Sequence, residues 1–494
     1  MGEAILVAAV ERDLAPRELQ ALDASAWIEV RADRYLASAE TLRSQWDGSL
    51  LFTLRTTKNG GQSQLTEGDR RSILRDAAAN YDFVDLEPDD LDAKTLDAIP
   101  ASQRVITCLA TGGDVDLDAR VAHILRVPAR LYRIVIQPRG YADTLQPLRL
   151  LKSLGRDDVI AFADGVLGMW TRVVAPRWGA PFVFGRIDGN VALDGEPGIA
   201  QLQTDYALPQ MMEFDEIFGI AGDPVFSSLS PRLHNAAFRA MGRRALYVPF
   251  QVPSFSDFWD GLISGHALDE LGLPIRAICV VSPYKQAAIP VADERTPMVQ
   301  RAQSTNFFIR EGGGWVADTT DPAGVMLSLF DRGVDVTNMP VAVVGCGGSG
   351  RAIAAALHQA GAEVTLVNRG HERASLAVSL LRLPFVPLAE FEADGYALVV
   401  NATPVGREGD HLGALERLRS DAVVIDLVYG DRPTPFVAAA RANGQITVDG
   451  KEILMRQAMS QFRLMTGQDM PEPMAREILR LPYEAVVETA GAQH

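Results

Sequence analysis

The sequence predicts an α/β protein of several domains, a (β/α)8 barrel followed by a two-domain α/β unit. Three observations carry this. The chain has 494 residues, enough for two to four domains with full cores. Its first 190 residues hold eight apolar, β-rich runs, most of them separated by segments long enough for a helix. Further on, a glycine-rich turn stands between a strand pattern and a helix pattern.

The eight runs are "AILVAAV", "AWIEVRAD", "LLFTLRT", "FVDLE", "RVITCLA", "LYRIVIQ", "VIAFADG" and "PFVFGRI". Segments between them, such as "EGDRRSILRDAAAN", "DLDARVAHILR" and "TLQPLRLLKSL", have helical composition. This alternation belongs to a barrel, whose chemistry sits at the C-terminal strand ends. Ionisable residues gather there: Glu29, Arg31 and Asp33 on the second strand, Arg55 on the third, Asp85 and Glu87 on the fourth. Arg133 lies on the sixth, Arg172 after the seventh and Arg186 on the eighth. Period-2 alternation puts Glu29, Arg31 and Asp33 on one face. A guanidinium inside the apolar run "LYRIVIQ" is costly unless it is paired or faces a wet cavity. The five arginines, balanced by Glu29, Asp33 and Asp85, are expected to form a pocket for a small carboxylate or phosphate. The competing reading is a dead pocket in which Arg133 only neutralises Glu29 or Asp85.

The expected boundaries are 1–205 for the barrel, 206–335 for a second α/β domain, 336–445 for a dinucleotide-binding domain and 446–494 for C-terminal helices returning to the second domain. The third rests on "PVAVVGCGGSGRAIAAALHQAGAEVTLVNR". Gly345, Gly347, Gly348 and Gly350 follow a strand and open a helix, so the backbone can approach a pyrophosphate held at the helix N-terminus. Where an NAD site offers an acid to the ribose, this chain has Asn368 and Arg369. An arginine there suits a 2′-phosphate, and the expected cofactor is NADP.

Composition excludes several classes. A net charge of -16 disfavours nonspecific nucleic-acid binding. No apolar run approaches the roughly 18 residues of a membrane span. The start "MGEAILVAAVERDL" reads as a first strand rather than a secretory leader, so the expected location is the cytosol. Three scattered cysteines and seven isolated histidines give no metal or disulfide framework.

Residues 217–467 resemble shikimate dehydrogenases, through "GIAGDPVFSSLSPRLHNAAF", "VVSPYK", "DTTDPAG", "GCGGSG…VNR", "NATPVG", "DLVY" and "DGKEILMRQAMSQFRLMTG". The resemblance implies that Ser228 and Ser230 bind a substrate carboxylate, that Lys285 and Asp321 are the catalytic pair and that Gln457 contacts a ring hydroxyl. It puts Asn401, Thr403 and Tyr429 near the nicotinamide. An ammonium beside a carboxylate suits reduction of a ring ketone, where it stabilises the alkoxide and supplies its proton. The chain departs from the family at Val281, which replaces a threonine, at Ser304, which stands at the usual substrate asparagine, and at Thr319 and Pro322.

Residues 1–205 resemble type I 3-dehydroquinate dehydratases, the preceding enzyme of the same pathway, through "EVRAD", "FTLRTTKNGG", "FVDLE", "GMWTR" and "FVFGR". Glu29, Arg31, Arg55, Asp85 and Arg172 fall on family binding positions. The family's Schiff-base lysine is replaced by Arg133, its acid-base histidine by Leu109, and its serine and glutamine by Arg186 and Ile199. The order is that of bifunctional dehydratase–dehydrogenase fusions of aromatic amino acid biosynthesis. The leading expectation is an NADP-dependent shikimate dehydrogenase whose barrel binds an anion without dehydrating it. A fully bifunctional enzyme, a dehydrogenase of quinate or another substrate, and a non-catalytic ligand sensor are the alternatives.

Overall fold

The computed structural model describes residues 3–22, 26–35, 39–187, 194–411, 413–415 and 417–482. Residues 483–494, the end of the expected C-terminal helical segment, lie outside the described residues. The chain divides into two compact units, Met1–Ile275 and Arg276–His494.

The first unit begins with eight strands: β1 (Ile5–Val10), β2 (Trp27–Arg31), β3 (Leu50–Thr53), β4 (Phe83–Leu86), β5 (Arg104–Thr111), β6 (Leu131–Gln137), β7 (Val159–Ala163) and β8 (Phe182–Arg186). Each expected run forms one of them. Their order is β7-β6-β5-β4-β3-β2-β1-β8, and every neighbouring pair is parallel. Parallel neighbours require a crossover between them, and the helices Glu67–Ala77, Leu117–Ile124, Gln146–Leu154 and Gly165–Val174 supply four. Alternation fixes which side chains face inward. On β6, Leu131 and Val135 join the interior cluster, while Tyr132, Ile134 and Ile136 pack outward with Val121 and Leu151. Arg133 therefore points inward.

The interior is layered. At the bottom, Trp27 stacks on Phe83 with centroids 4.0 Å apart, among Leu51, Val105, Leu131 and Phe182. The register Thr53↔Asp85 and Thr107↔Arg133 puts a polar layer above this apolar floor.

The same unit continues into β9 (Glu216–Gly222) and β10 (Ala245–Gln251), which pair in parallel. The barrel and this pair share a core. Trp170 packs on Phe250 at 5.6 Å, Phe250 on Phe258 at 5.3 Å, and Tyr141 meets Phe258 edge-on at 5.0 Å. All four side chains are buried. The Tyr141 hydroxyl donates to the Gln251 carbonyl at 2.7 Å.

β11 (Ile275–Val280), which lies in the second unit from Arg276 onward, pairs antiparallel with β13 (Phe307–Glu311). β13 in turn pairs antiparallel with β14 (Gly314–Asp318), and β14 pairs in parallel with β12 (Glu294–Arg295). A six-stranded parallel sheet follows, from β15 (Pro340–Val344), β16 (Glu363–Asn368), β17 (Phe385–Pro387), β18 (Leu398–Asn401), β19 (Val423–Asp426) and β20 (Ile446–Val448). Its order β17-β16-β15-β18-β19-β20 reverses direction beside β15, at the switch point where doubly wound folds bind ligands. Helix Gly450–Thr466 lies close against helix Asp321–Asp331, since a Cβ on Gly324 would stand 2.9 Å from Ile453 Cγ2.

The shared aromatic core makes a stability prediction. Trp170→Ala should destabilise the first unit by about 3–5 kcal/mol, the cost of emptying a buried aromatic site. Denaturant unfolding followed by fluorescence would show it, and a loss under 1 kcal/mol would mean that the packing contributes little.

Candidate active site

The second unit assembles its polar centre around Asp321. This residue opens helix Asp321–Asp331, where the helix dipole favours a negative charge, and it is 4% exposed. Lys285 follows β11 in "VVSPYK", and its carbonyl accepts the Thr305 N–H at 2.7 Å. Its Nζ donates to Asp321 Oδ1 at 2.8 Å and Oδ2 at 2.6 Å. Two amides complete the carboxylate's partners: Asn306 Nδ2 reaches Oδ1 at 2.8 Å and Gln457 Nε2 reaches it at 2.6 Å. Asn306 also accepts the Thr320 N–H at 2.7 Å, and Gln461 donates to the Thr320 hydroxyl. The result is a buried carboxylate holding a partly exposed ammonium. Such a pair can deliver a proton to, or take one from, an oxygen in the cleft.

That cleft has a volume of about 490 Å³, and Lys285, Asp321, Gly348, Thr403, Tyr429 and Gln457 are among its walls. The glycine-rich turn fits a dinucleotide. Gly345 has φ +110, and a Cβ on Gly350 would collide with the Gly345 carbonyl, so the turn closes only with glycine at both positions. Among the described residues, no heavy atom beyond Gly347 and its chain neighbours lies within 4 Å of a Cβ built on Gly347, and no side chain caps helix Gly348–Gln359. Open space before an uncapped helix N-terminus suits a pyrophosphate. Asn368 accepts the Cys346 N–H, tying β16 to the turn. Arg369 is exposed, with no ion-pair partner shown among the described residues.

The remaining expected residues are distributed as follows. Thr403 and Tyr429 line the cleft, whereas Asn401 lies beneath it, bonded to Asp426, Val405 and Thr403. Ser304 is fully buried behind the turn, and its hydroxyl has no hydrogen-bond partner among the described residues. Ser228 and Ser230 belong to the first unit, where the Ser230 N–H donates to Ser228 Oγ at 3.2 Å at the start of helix Ser230–Ala240. Gln251 holds the preceding loop by accepting the Val225 N–H and donating to Asp223. Sequence reasoning missed Asn306, Ser349, Arg373 and Arg407. The last three line the cleft, and Arg407 follows "NATPVG" directly, a cue that the motif itself offers.

The barrel's polar layer closes on Arg133. Its Nε donates to Thr107 Oγ1 at 3.0 Å, Nη1 to Glu29 at 2.8 Å and Nη2 to Asp85 at 2.6 Å, while its cation lies 4.5 Å from the Phe184 ring centre. Arg55 shares Asp85 at 2.8 Å. Burial alone would raise the Glu29 carboxyl, but Arg133, Arg31, Arg55 and the Thr53 hydroxyl outweigh it and hold the pKa at about 2. Burial works against the Arg133 charge too, and Glu29 and Asp85 overcome it, leaving the guanidinium above its usual value. Arg31 pairs with Asp33, Arg172 with Asp164 and Arg186 with Asp194. Arg31, Arg55, Arg133 and Arg172 surround a pocket of about 300 Å³ that also includes Leu109, and Arg186 stays outside its lining.

This layer should make stability depend on pH. The folded Glu29 carboxyl is depressed from 4.5 to about 2, so its contribution is complete above pH 4.5 and disappears as the pH falls through about 2. Arg133→Met should cost about 3–5 kcal/mol at pH 7 by leaving buried carboxylates without their cation. The gap from the parent should narrow at pH 3, where a Glu29 carboxyl that has lost the Arg133 charge can take up a proton. Urea unfolding at both pH values measures it, and a gap independent of pH contradicts the assignment.

Comparison with known proteins follows the same division. Residues 4–213 match the family model for type I 3-dehydroquinase, and residues 220–308 match that for the shikimate dehydrogenase substrate binding domain. Residues 341–390, around the glycine turn, match the model for ketopantoate reductase PanE/ApbA. The chain is 28% identical over 459 residues to a bifunctional 3-dehydroquinate dehydratase/shikimate dehydrogenase, chloroplastic, of Arabidopsis thaliana, covering 87% of this chain and 75% of that one. It is 35% identical to a shikimate dehydrogenase (NADP(+)) of Symbiobacterium thermophilum, covering 53% of this chain and 92% of that one. To its counterpart in Anaeromyxobacter sp. (strain K) it is 37% identical, covering 53% and 95%. With nearly the whole length of such enzymes matched, and a 3-dehydroquinase-like barrel ahead of the match, the chain belongs to the shikimate dehydrogenase family in its fused, two-module form.

Proposed function

We propose that the protein is an NADP-dependent shikimate dehydrogenase that interconverts 3-dehydroshikimate and shikimate, and that its barrel binds an anion without dehydrating it. The observation that carries the first part is the Lys285–Asp321 pair in a cleft walled by the glycine-rich turn. When bound, the nicotinamide supplies hydride to the ring carbonyl or removes it from the alcohol. Lys285 Nζ holds the proton that this oxygen gains or loses. Asp321 keeps the amine aimed, and Asn306 and Gln457 fix the carboxylate. Arg369 is the proposed ligand of the 2′-phosphate. Ser228 and Ser230 are proposed as carboxylate ligands on the family resemblance, and the proposed location is the cytosol.

For the barrel, the support is Arg133 itself. A guanidinium stays protonated and is a poor nucleophile toward a carbonyl, and each of its three nitrogens already has a partner. Leu109 offers no proton carrier. Arg31 and Arg172 remain on the pocket wall for a carboxylate or phosphate. Retained dehydration is the second reading, favoured by the two activities in the name of the Arabidopsis relative.

The purified chain should oxidise shikimate with NADP⁺, and Lys285→Ala should lower kcat by roughly 10²- to 10⁴-fold, the range of general acid–base catalysis. No turnover of shikimate or quinate in the parent would sink the dehydrogenase reading. With 3-dehydroquinate and borohydride no covalent adduct should form, whereas a trapped adduct or measurable dehydration would restore the bifunctional reading.

Arg369→Ala should weaken NADP⁺ binding by about 1.5–3 kcal/mol, the worth of a hydrogen bond to a charged group, and leave NAD⁺ nearly unchanged. Equal losses for both nucleotides in a fluorescence titration would remove Arg369 from the phosphate site.

A further inference from the structure

The Lys285 ammonium has three protons, and the structure gives it three acceptors. Two are the oxygens of Asp321, and the third is Ser349 Oγ at 2.8 Å. Ser349 is the second residue of helix Gly348–Gln359, so it belongs to the glycine-rich turn rather than to the substrate-side strands. The turn runs hard against the lysine stem, since a Cβ on Gly348 would stand 3.1 Å from Lys285 Cβ and 2.5 Å from Ser304 Oγ. Two residues further, Arg351 fastens this helix to the lysine's surroundings. It is 2% exposed and donates to the carbonyls of Ala302 and Gln303, each at 2.8 Å, and to the Gln286 amide oxygen at 3.2 Å. The hydroxyl is thus held at a fixed place beside the amine.

The three acceptors are not equivalent. Hydrogen bonds between two charged partners are the strong ones, so the neutral hydroxyl is the contact most easily given up. Both Ser349 and Asp321 line the cleft, but Asp321 is buried, at 4% exposed, whereas Ser349 is half-buried and lies nearer the open side. We infer that Ser349 is a positioning residue: its hydroxyl holds the third proton of Lys285 in the direction of the cleft until a substrate oxygen takes its place. This rests on the dehydrogenase reading above. It adds that the nucleotide-binding turn itself aims the acid–base group.

The test uses the full chain with Ser349→Ala and Ser349→Thr. Ser349→Ala should lower kcat roughly 3- to 10-fold, the scale of one hydrogen bond, without changing NADP⁺ affinity, and Ser349→Thr should restore it. A second readout does not need turnover. Lys285 is one of five lysines in the chain, and competitive acetylation read by mass spectrometry compares it with the other four. Ser349→Ala should raise Lys285 labelling several-fold, because one of the groups enclosing the nitrogen is gone, and Ser349→Thr should bring it back. Unchanged labelling overturns the inference whatever the assay gives. A joint loss of kcat and NADP⁺ affinity also overturns it, since the serine would then serve the turn alone. An inactive parent with the expected labelling pattern would sink the dehydrogenase reading and leave the contact standing.

Discussion

A buried carboxylate must be surrounded by donors, and in the second unit that requirement organises everything near the cleft. Asp321 accepts from Lys285, Asn306 and Gln457, which come from the segment after β11, from the residue just before β13 and from helix Gly450–Thr466. Removing any donor would leave a desolvated charge short of a partner, at a cost of several kcal/mol for the cation and about 1–3 for a neutral donor. The same residues that stabilise the carboxylate therefore fix the amine. Stability and positioning at this point have one cause.

The barrel solves a related problem with a different outcome. Two carboxylates, Glu29 and Asp85, lie under two guanidiniums, Arg133 and Arg55, at a level closed below by Trp27 and Phe83. Opposite charges in equal number satisfy one another in low dielectric. In the cleft the amine keeps a side toward solvent, with 17% of its side chain exposed, whereas the Arg133 side chain is 4% exposed. One site holds its charge ready, and the other has absorbed it into the core.

How far these arrangements were legible depends on sequence distance. The barrel strands were readable one by one, because apolar alternation is local, and so was the glycine turn, whose residues lie within six positions. Arg133 announced itself as a charge in an apolar run, but its partner Glu29 is 104 residues away and only the strand register brings them to one level. Lys285 and Asp321 were found through resemblance rather than pattern. Asn306 lies two residues after Ser304, and nothing in "QSTNFF" says which amide will face the carboxylate. Ser349 was hidden inside a motif read for its glycines.

The aromatic core that joins the barrel to β10 bears on how such a chain can change over evolutionary time. Phe250 and Phe258 are fully covered, partly by Trp170 and Tyr141 from the barrel. A deletion that removed the barrel would strip these rings to water and take away the donor to the Gln251 carbonyl, so it would meet a folding barrier before any question of activity arose. Single substitutions on the pocket wall outside the buried ion-pair layer, such as at Leu109, meet a smaller barrier. The pocket wall can thus change side chain by side chain while the barrel's scaffold stays required for folding.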